Sequence, residues 1–169
     1  MAIYKNLPEL LEIAFQKNED PFLLVLDGIE DPHNFGAIIR TAEAAGVHGI
    51  IIRKNRQVQV TETVARVSTG AVDKVPIARV PNIAEAISWL KKQEIVVIGV
   101  EIDGSKVYNK IDYKAPVALV IGSEGFGIAR LVRERCDEIA KIPMHGEINS
   151  LNASVATGIM LFEVLRQRT

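Results

Sequence analysis

The feature that most constrains the fold is a series of short apolar runs, rich in valine and isoleucine, that recur between amphipathic stretches. Most of these runs are continuously apolar rather than alternating, which is typical of strands covered on both faces in a parallel sheet. The predicted strands are residues 22–26, 49–52, 75–80, 95–100, 117–121 and 138–142.

Helical patterns separate the predicted strands. Leu7, Leu10, Leu11 and Ala14 fall at helical spacing, a second helix covers 35–45 with Gly46 placed to end it, and Asn82 and Glu85 form a capping-box-like start for 83–92. A final helix is predicted over about 151–166, with one apolar stripe: Leu151, Val155, Ile159, Phe162 and Leu165. This alternation predicts an α/β fold, a mostly parallel sheet with helices on both faces, as a single domain over 1–169.

Composition narrows the class of protein. Hydrophobic residues make up 48% of the chain, which favours a folded core, and no apolar run approaches the length of a membrane span. The single cysteine, Cys136, cannot form an internal disulfide, and the first residues lack the layout of a signal peptide, so we expect a cytoplasmic protein.

The net charge of −1 does not indicate a nucleic-acid binder, which usually carries a basic excess. Local basic clusters occur, but each is also compatible with a solvated helix or loop face: Arg53, Lys54 and Arg56; Arg130, Arg133 and Arg135; Arg166 and Arg168. Charge alone therefore does not predict RNA binding.

Ligands of such sheets bind in loops beyond the carboxyl ends of the strands. The first loop of interest, residues 27–36, contains turn-forming Asp-Pro and Asn-x-Gly sequences. Within it, Asn34 is a candidate either for helix capping or for a functional site. Arg40, in the helix that follows, suits a phosphate or another oxyanion, although a surface salt bridge with Glu43 is an equally simple interpretation.

The second loop, residues 122–127, contains Gly122, Gly125 and Gly127, which permit a close approach of backbone to a ligand. It matches neither a Walker loop nor a nucleophile elbow. Glu124 lies within this loop and has two possible roles. Its carboxylate could stabilise the positive end of the dipole of the helix after the loop, or it could bind a ribose hydroxyl or an arginine.

The third loop, residues 143–154, carries more small polar side chains than a helix start needs: Asn149, Ser150, Asn152 and Ser154. That surplus favours a site that hydrogen-bonds a polar ligand. The three histidines and Cys136 show no metal-ligand spacing; we interpret His48 and Cys136 as structural, whereas His33 and His145 lie in candidate loops. We therefore expect a metal-free reaction that relies on positioning.

Together the loops resemble a known family. LDGIEDPHNFGAIIRTAEAAGV, LVIGSEGFGI and IPMHGEINSLNASVATGIMLFEVLRQR resemble, in order, the three motifs of the SpoU/TrmH RNA ribose 2′-O-methyltransferases. The segment ARVSTGAVDKVP also resembles the branch that methylates a guanosine ribose in 23S ribosomal RNA.

The resemblance implies a SPOUT fold with a C-terminal deep trefoil knot, a homodimer whose active site the partner subunit completes, RNA as the substrate and S-adenosyl-L-methionine as the methyl donor. Carried over by position, the cofactor residues are Val100, Glu101, Gly122, Ile142 and Leu151. The catalytic or RNA-facing residues are Asn34, Arg40, Glu124, Ser150 and Asn152. Many relatives of this branch carry an N-terminal RNA-binding domain, which we expect to be absent from a chain that begins shortly before the first motif.

Arginine, with a pKa above about 12, is a poor base near neutrality. We therefore expect Arg40 to stabilise a developing alkoxide or to fix the adjacent phosphate, oriented by Glu124 and Asn34. Two alternatives stay open, a tRNA ribose 2′-O-methyltransferase and a non-catalytic RNA-binding module. A Rossmann dehydrogenase is disfavoured because the first strand is not followed by its glycine fingerprint.

Overall fold

A computed structural model describes residues 4–169 and shows one seven-stranded sheet. Its strands run in the order β3-β2-β1-β6-β4-β7-β5, and every strand pair in the described range is parallel. The strands are β1 Phe22–Asp27, β2 Gly49–Arg53, β3 Ile77–Val80, β4 Val96–Val100, β5 Lys106–Val107, β6 Val117–Gly122 and β7 Glu138–Lys141. The helices are α1 Leu7–Gln16, α2 Pro32–Ala45, α3 Glu62–Val67, α4 Ile83–Lys92, α5 Arg130–Arg135 and α6 Ala153–Arg168.

Helices cover both faces of the sheet, as predicted. Every residue of β1 is buried, and its side chains alternate between two apolar clusters: Leu24 and Leu26 belong to one, Leu23 and Val25 to the other. The first cluster includes core residues of α2, α3 and α6, and the second includes those of α1, α4 and α5. Burial on both faces explains why the predicted strands are continuously apolar.

Helix α2 begins earlier than predicted. Asp31 caps it by accepting a hydrogen bond from the backbone N–H of His33 at 2.9 Å, and Pro32 occupies the first helical position. The predicted loop of residues 27–36 therefore ends at Asp31, and Asn34 lies in the first turn, where it is not the cap. Gly46, with φ 81°, ends the helix as predicted.

The prediction for α6 is wrong in its start and in its buried face. The helix begins at Ala153, with Asn152 as its cap, and its buried residues are Ala153, Thr157, Met160, Leu161, Glu163 and Val164. Val155 and Phe162, members of the predicted stripe, are 51% and 45% exposed. The helix packs on α2 through a face that contains Met160, Leu161 and Val164, and Gly158 lies close to Thr41 of α2.

Three short elements were not predicted: α3, α5 and β5. Each is too short to carry a periodic pattern of its own. Helix α3 begins at a local cap, because Thr61 accepts the backbone N–H of Val64. Strand β3 begins at Ile77 rather than at residue 75 because a 3-10 turn, Ala71–Asp73, leads into it.

Among residues 4–169, no helix has both the length and the apolar character needed to cross a lipid bilayer. The trefoil knot that the resemblance implies stays a prediction.

Candidate active site

The three loops singled out in the sequence meet at one edge of the sheet. Asp27 at the end of β1 is paired in register with Gly122 at the end of β6, and Val100 at the end of β4 is paired with Ile121. Val100 is also paired with Ala140 of β7. Because adjacent parallel strands end together, the loops that follow them surround a common space.

A cavity of about 330 Å³, called here the first cavity, lies between these loops. Its lining includes every residue predicted for cofactor binding: Val100, Glu101, Gly122, Ile142 and Leu151. Ser150, Asn149 and Glu124 add polar groups to walls that are otherwise largely apolar. The volume lies at the lower end of the range that small-molecule sites usually show.

The turn of residues 123–127 forms one wall of the first cavity. It is closed by a hydrogen bond from the backbone N–H of Gly127 to the carbonyl of Ser123 at 2.8 Å. A side chain at Gly122 would overlap the backbone of Gly127, and Gly127 has φ 66°, so both glycines are required by close approach or conformation.

Glu101 holds this turn in place. Its carboxylate accepts the backbone N–H of Ile128 at 3.0 Å and the guanidinium of Arg133 at 2.6 Å. Arg133 also donates to Asp103 at 2.7 Å, and the hydrogen bonds to Asp103 and Glu101 raise the pKa of the Arg133 guanidinium. Both oxygens of Glu101 therefore bind groups of the protein itself, which makes Glu101 a residue that shapes the first cavity.

Asn34, Glu124 and Asn152 form a hydrogen-bonded group, called here the polar cluster. The Nδ2 atoms of Asn34 and Asn152 donate to Glu124 Oε1 at 3.2 and 3.1 Å, and Asn152 Nδ2 also donates to Asn34 Oδ1 at 3.2 Å. The backbone N–H of Ala153 donates to the same oxygen of Glu124 at 3.0 Å. Three residues predicted to act together, distant in sequence, thus share one carboxylate oxygen.

The helix that Glu124 caps is not the one expected. The sequence suggested the helix after its own loop, but Glu124 binds the first turn of α6, and α5 begins only at Arg130. Asn152 accepts the backbone N–H groups of Ser154 and Val155, so part of the polar surplus in the third loop serves capping. Asn149 and Ser150 line the first cavity instead.

Arg40 is exposed on α2. Within residues 4–169, neither a hydrogen bond nor an ion pair joins Arg40 to the polar cluster or to Glu43, so the salt bridge considered from the sequence is not formed. Arg40 lines neither of the cavities described here. Of the five predicted catalytic residues, Glu124 and Ser150 therefore line the first cavity. Asn34 and Asn152 are hydrogen-bonded to Glu124, whereas Arg40 is joined to none of them.

A second cavity of about 520 Å³ adjoins the first. Both cavities are lined by residues 123–127 and by Ala153, so one turn of backbone divides them. The second cavity is also lined by Asn34, Arg53 and Asp27, and the ring of Phe126 on the dividing turn is 96% exposed. Sequence reasoning missed Phe126; the signal available was an aromatic residue between two glycines at a tight turn.

Most arginines of the predicted basic clusters are occupied within the fold. Arg133 and Arg135 pair with carboxylates, as do Arg130 and Arg166, and Arg168 donates to backbone carbonyls that include those of Asp20 and Ala115. The segment from Arg53 to Arg56 differs, because its side chains make no ion pair with any residue that the structure describes.

The remaining candidates have structural surroundings. His48 is buried, accepts the backbone N–H of Phe22 through Nδ1 and donates through Nε2 to Glu19, both at 2.9 Å. Burial raises the pKa of the Cys136 thiol to about 12, so it stays protonated at neutral pH. Neither His33 nor His145 lines either cavity, and no three acidic, histidine or cysteine side chains in residues 4–169 are placed to hold a metal ion.

Comparison with family models matches residues 21–162 to the SpoU rRNA Methylase family. The chain belongs to this family. The match extends from the first residues before β1 to the last turns of α6 and so contains all three loops of the site. It confirms the family that the motifs in the sequence resemble, although it does not distinguish the 23S guanosine branch.

Several known proteins are similar to this SpoU-family chain. YacO of Bacillus subtilis (strain 168), whose name places it among TrmH family tRNA/rRNA methyltransferases, is 50% identical over 165 residues, which are 98% of this chain and 66% of YacO. The chain thus spans just under two thirds of that relative's length.

Solved structures show the same fold. An rRNA methyltransferase from Sinorhizobium meliloti with bound AdoMet has a TM-score of 0.87 and 37% identity, covering 99% of this chain and 62% of that one. A structure described as an RNA 2′-O ribose methyltransferase has a TM-score of 0.80 and 29% identity, covering 99% and 60%. The fold of this chain is therefore that of the SpoU group of SPOUT methyltransferases.

Proposed function

We propose that this chain binds S-adenosylmethionine in the first cavity and transfers its methyl group to the 2′-hydroxyl of an RNA ribose. The observation that carries the proposal is Glu124: its side chain anchors the polar cluster and lines both cavities. A cofactor bound in the first cavity and a ribose hydroxyl beside the polar cluster would both lie next to Glu124.

The residues of the first cavity fit the proposed methyl donor. Ile121, Ile142 and Leu151 offer apolar surface for an adenine ring, and Ser150 and Asn149 offer hydrogen bonds for a ribose. The similar S. meliloti protein was crystallised with AdoMet, which supports the same ligand here. When bound, S-adenosylmethionine supplies a methyl group already activated by a positively charged sulfur.

The protein's own contribution is to place the ribose hydroxyl and to make loss of its proton less costly. All three donors to Glu124 use Oε1, so Oε2 is left for a substrate group. The amides of Asn34 and Asn152 hold the carboxylate in one orientation. Oε2 of Glu124 would accept the proton of the ribose hydroxyl as that oxygen takes the methyl group, and the demethylated cofactor would be the leaving group. An adjacent cation would stabilise the charge that develops on the ribose oxygen.

We propose that Arg40 of the partner subunit is this cation. Within one subunit Arg40 is exposed and is not joined to the polar cluster, so it is available to a second chain. The outward apolar side chains of α6, Val155 and Phe162, supply surface that a homodimer would cover. The homodimer is therefore part of the proposal, because no hydrogen bond or ion pair in the described residues joins Arg40 to the polar cluster of its own subunit.

The RNA target is proposed to be ribosomal, and the segment of residues 65–76 points to a guanosine of 23S RNA. The name of the similar B. subtilis protein covers both tRNA and rRNA, so a tRNA ribose is the alternative. Incubation with methyl-labelled cofactor and separate ribosomal and transfer RNA fractions tests this directly. Label in the ribosomal fraction supports the proposal, label in tRNA alone favours the alternative, and cofactor binding without transfer to either favours an RNA-binding module.

A further inference from the structure

The second cavity shares a wall with the cavity that the proposed function assigns to the cofactor. Methyl transfer requires the acceptor oxygen in line with the methyl group, at about 3 Å. On the proposed function, on which this inference rests, the ribose of the acceptor nucleotide lies beside Glu124, which lines both cavities, and its base extends away from the cofactor. The second cavity is the space available there.

Phe126 is placed to stack on a base. It is at the tip of the dividing turn, its ring is 96% exposed, and it lines both cavities. A nearly fully exposed aromatic ring contributes little to the core, whereas stacking on unpaired bases is a general means of RNA recognition. The turn itself is held by hydrogen bonds, including one from the backbone N–H of Phe126 to Ser123 Oγ at 3.2 Å. The backbone that carries the Phe126 ring is therefore fixed in position.

Arg53 supplies a donor with no partner. It lines the second cavity from the end of β2, and its Nε is buried without a hydrogen bond to any residue in the described range. Its Nη2 donates only weakly, to the carbonyl of Arg56 at 3.4 Å. Because Nε is closed to solvent, a ligand would reach the outer nitrogens of the guanidinium group, and Arg53 is the one cationic side chain that the described residues contribute to this lining. A carbonyl oxygen is the acceptor that such a group binds.

The other charges of the second cavity are negative: Asp27, Glu30, Asp31 and Glu124 all line it. Asp27 is only 6% exposed and uses one oxygen, Oδ2, to accept the backbone N–H of Ala129 at 2.8 Å. A phosphate among these carboxylates would be repelled, whereas the N–H groups of a base would find acceptors.

We propose that the second cavity binds the base of the acceptor nucleotide, stacked on Phe126, with a carbonyl oxygen of the base on Arg53 and a ring N–H on a carboxylate. Only bases with both a carbonyl and a ring N–H satisfy this pairing. Guanine and uracil carry both, adenine has no carbonyl, and cytosine has no ring N–H at its pairing edge. The cavity therefore selects keto bases.

Mononucleotide binding tests this without turnover, so its failure is separable from a failure of methyl transfer. The wild-type chain, with the first cavity filled by saturating S-adenosylhomocysteine, is titrated with GMP, UMP, AMP and CMP by NMR. GMP and UMP should bind more tightly than AMP and CMP, and Phe126→Ala should weaken them by about fivefold or more, as expected for a lost base stack. Phe126→Trp should retain binding.

The control is Phe15→Ala, which removes a phenylalanine that is 58% exposed on α1 and lines neither cavity. Unchanged S-adenosylhomocysteine affinity in Arg53→Met and Phe15→Ala, which change residues outside the first cavity, shows that the fold and first cavity are intact. Phe126→Ala, which changes a residue of both cavities, is titrated at a concentration of S-adenosylhomocysteine that saturates that variant. Arg53→Met should weaken guanosine and GMP equally. Loss confined to GMP would assign Arg53 to a phosphate and overturn the proposal, as would equal affinity for all four nucleotides, no saturable binding, or no effect of Phe126→Ala.

Discussion

Glu124 accepts the backbone N–H of Ala153 at 3.0 Å, so a carboxylate in the loop after β6 caps a helix that begins 29 residues later in the chain. This single bond joins the turn that lines both cavities to the helix whose cap, Asn152, belongs to the polar cluster. Oε1 of Glu124 therefore serves both the stability of α6 and the polar cluster of the proposed site. Different substitutions at Glu124 should affect stability and methyl transfer to different extents.

Glu124→Ala should lower the free energy of unfolding by about 1 kcal/mol, as loss of a helix cap generally does. It should also reduce methyl transfer by about a hundredfold or more, because the polar cluster loses its shared acceptor. Glu124→Gln keeps an oxygen for the N–H of Ala153 and should recover most of the stability without the activity. Denaturant unfolding and single-turnover transfer measure the two effects; equal activity in Glu124→Gln and wild type would contradict the account.

Arg40→Ala should abolish methyl transfer and leave cofactor affinity unchanged, since Arg40 lines neither cavity. Calorimetric titration of the cofactor and a labelled-methyl assay measure the two quantities. Glu43→Ala, at an exposed neighbouring position on α2, is the matched control and should retain activity. Turnover near that of wild type in Arg40→Ala would remove this residue from the mechanism.

Mixing two inactive variants tests whether Arg40 acts on the partner subunit. A heterodimer of Arg40→Ala and Glu124→Ala chains would contain one site with both residues intact, so the mixture should regain about a quarter of wild-type activity if subunits exchange freely. If Arg40 served its own subunit, both sites of the heterodimer would be defective. A mixture that stays inactive after verified subunit exchange would rule out the shared site.

Gly127→Ala should lower cofactor affinity by about tenfold or more. A methyl group there would collide with the Glu101 carboxylate, and the φ of 66° is costly for any residue with a side chain. Gly125→Ala, two residues earlier, meets no atom within 4 Å and should bind the cofactor as wild type does. Titration of S-adenosylhomocysteine compares them, and equal affinities for the two variants would show that the turn does not shape the first cavity.

Stability should depend on pH through His48. Burial is the largest cause that lowers the His48 pKa, so the folded chain binds this proton less readily than the unfolded chain. The stability that a neutral His48 contributes is fully present above the ordinary histidine pKa near 6.5. It is lost as the pH falls below that value, at no more than about 1.4 kcal/mol per pH unit. Urea unfolding between pH 7.5 and 5 should show this decline in the free energy of unfolding.

The control for His48 is a pair of substitutions. His48→Gln keeps an acceptor for Phe22 and a donor for Glu19 and should flatten the pH dependence. His33→Gln, at an exposed position, should leave it unchanged. Identical slopes in wild type and His48→Gln would assign the pH dependence to other groups.

The sheet was predictable because its strands are buried on both faces, and continuous apolar runs such as that of β1 record this burial directly. The buried face of α6 was not predictable from periodicity. Val155 and Phe162, two apolar residues of the predicted stripe, are exposed, while Thr157 and Glu163 lie on the buried side. An apolar residue in a helical pattern can lie in the core or on the surface. The sequence alone does not distinguish these two positions.

The sequence predicted candidate residues for the site but not the hydrogen bonds that connect them. Asn34, Glu124 and Asn152 were each chosen from separate loops, and only the fold shows that they share one carboxylate oxygen. The second cavity could not be found from sequence, since Arg53 and Phe126 come from unrelated segments and neither lies in a motif position chosen for chemistry.

The most direct test of the central claim is the position of the transferred methyl group. The chain is incubated with methyl-labelled S-adenosylmethionine and ribosomal RNA, and the product is digested to nucleosides and analysed by mass spectrometry. The account predicts label on the ribose, as a 2′-O-methylnucleoside, from the wild type and none from Arg40→Ala. Label on a base instead of the ribose, or equal ribose label from Arg40→Ala, would contradict it.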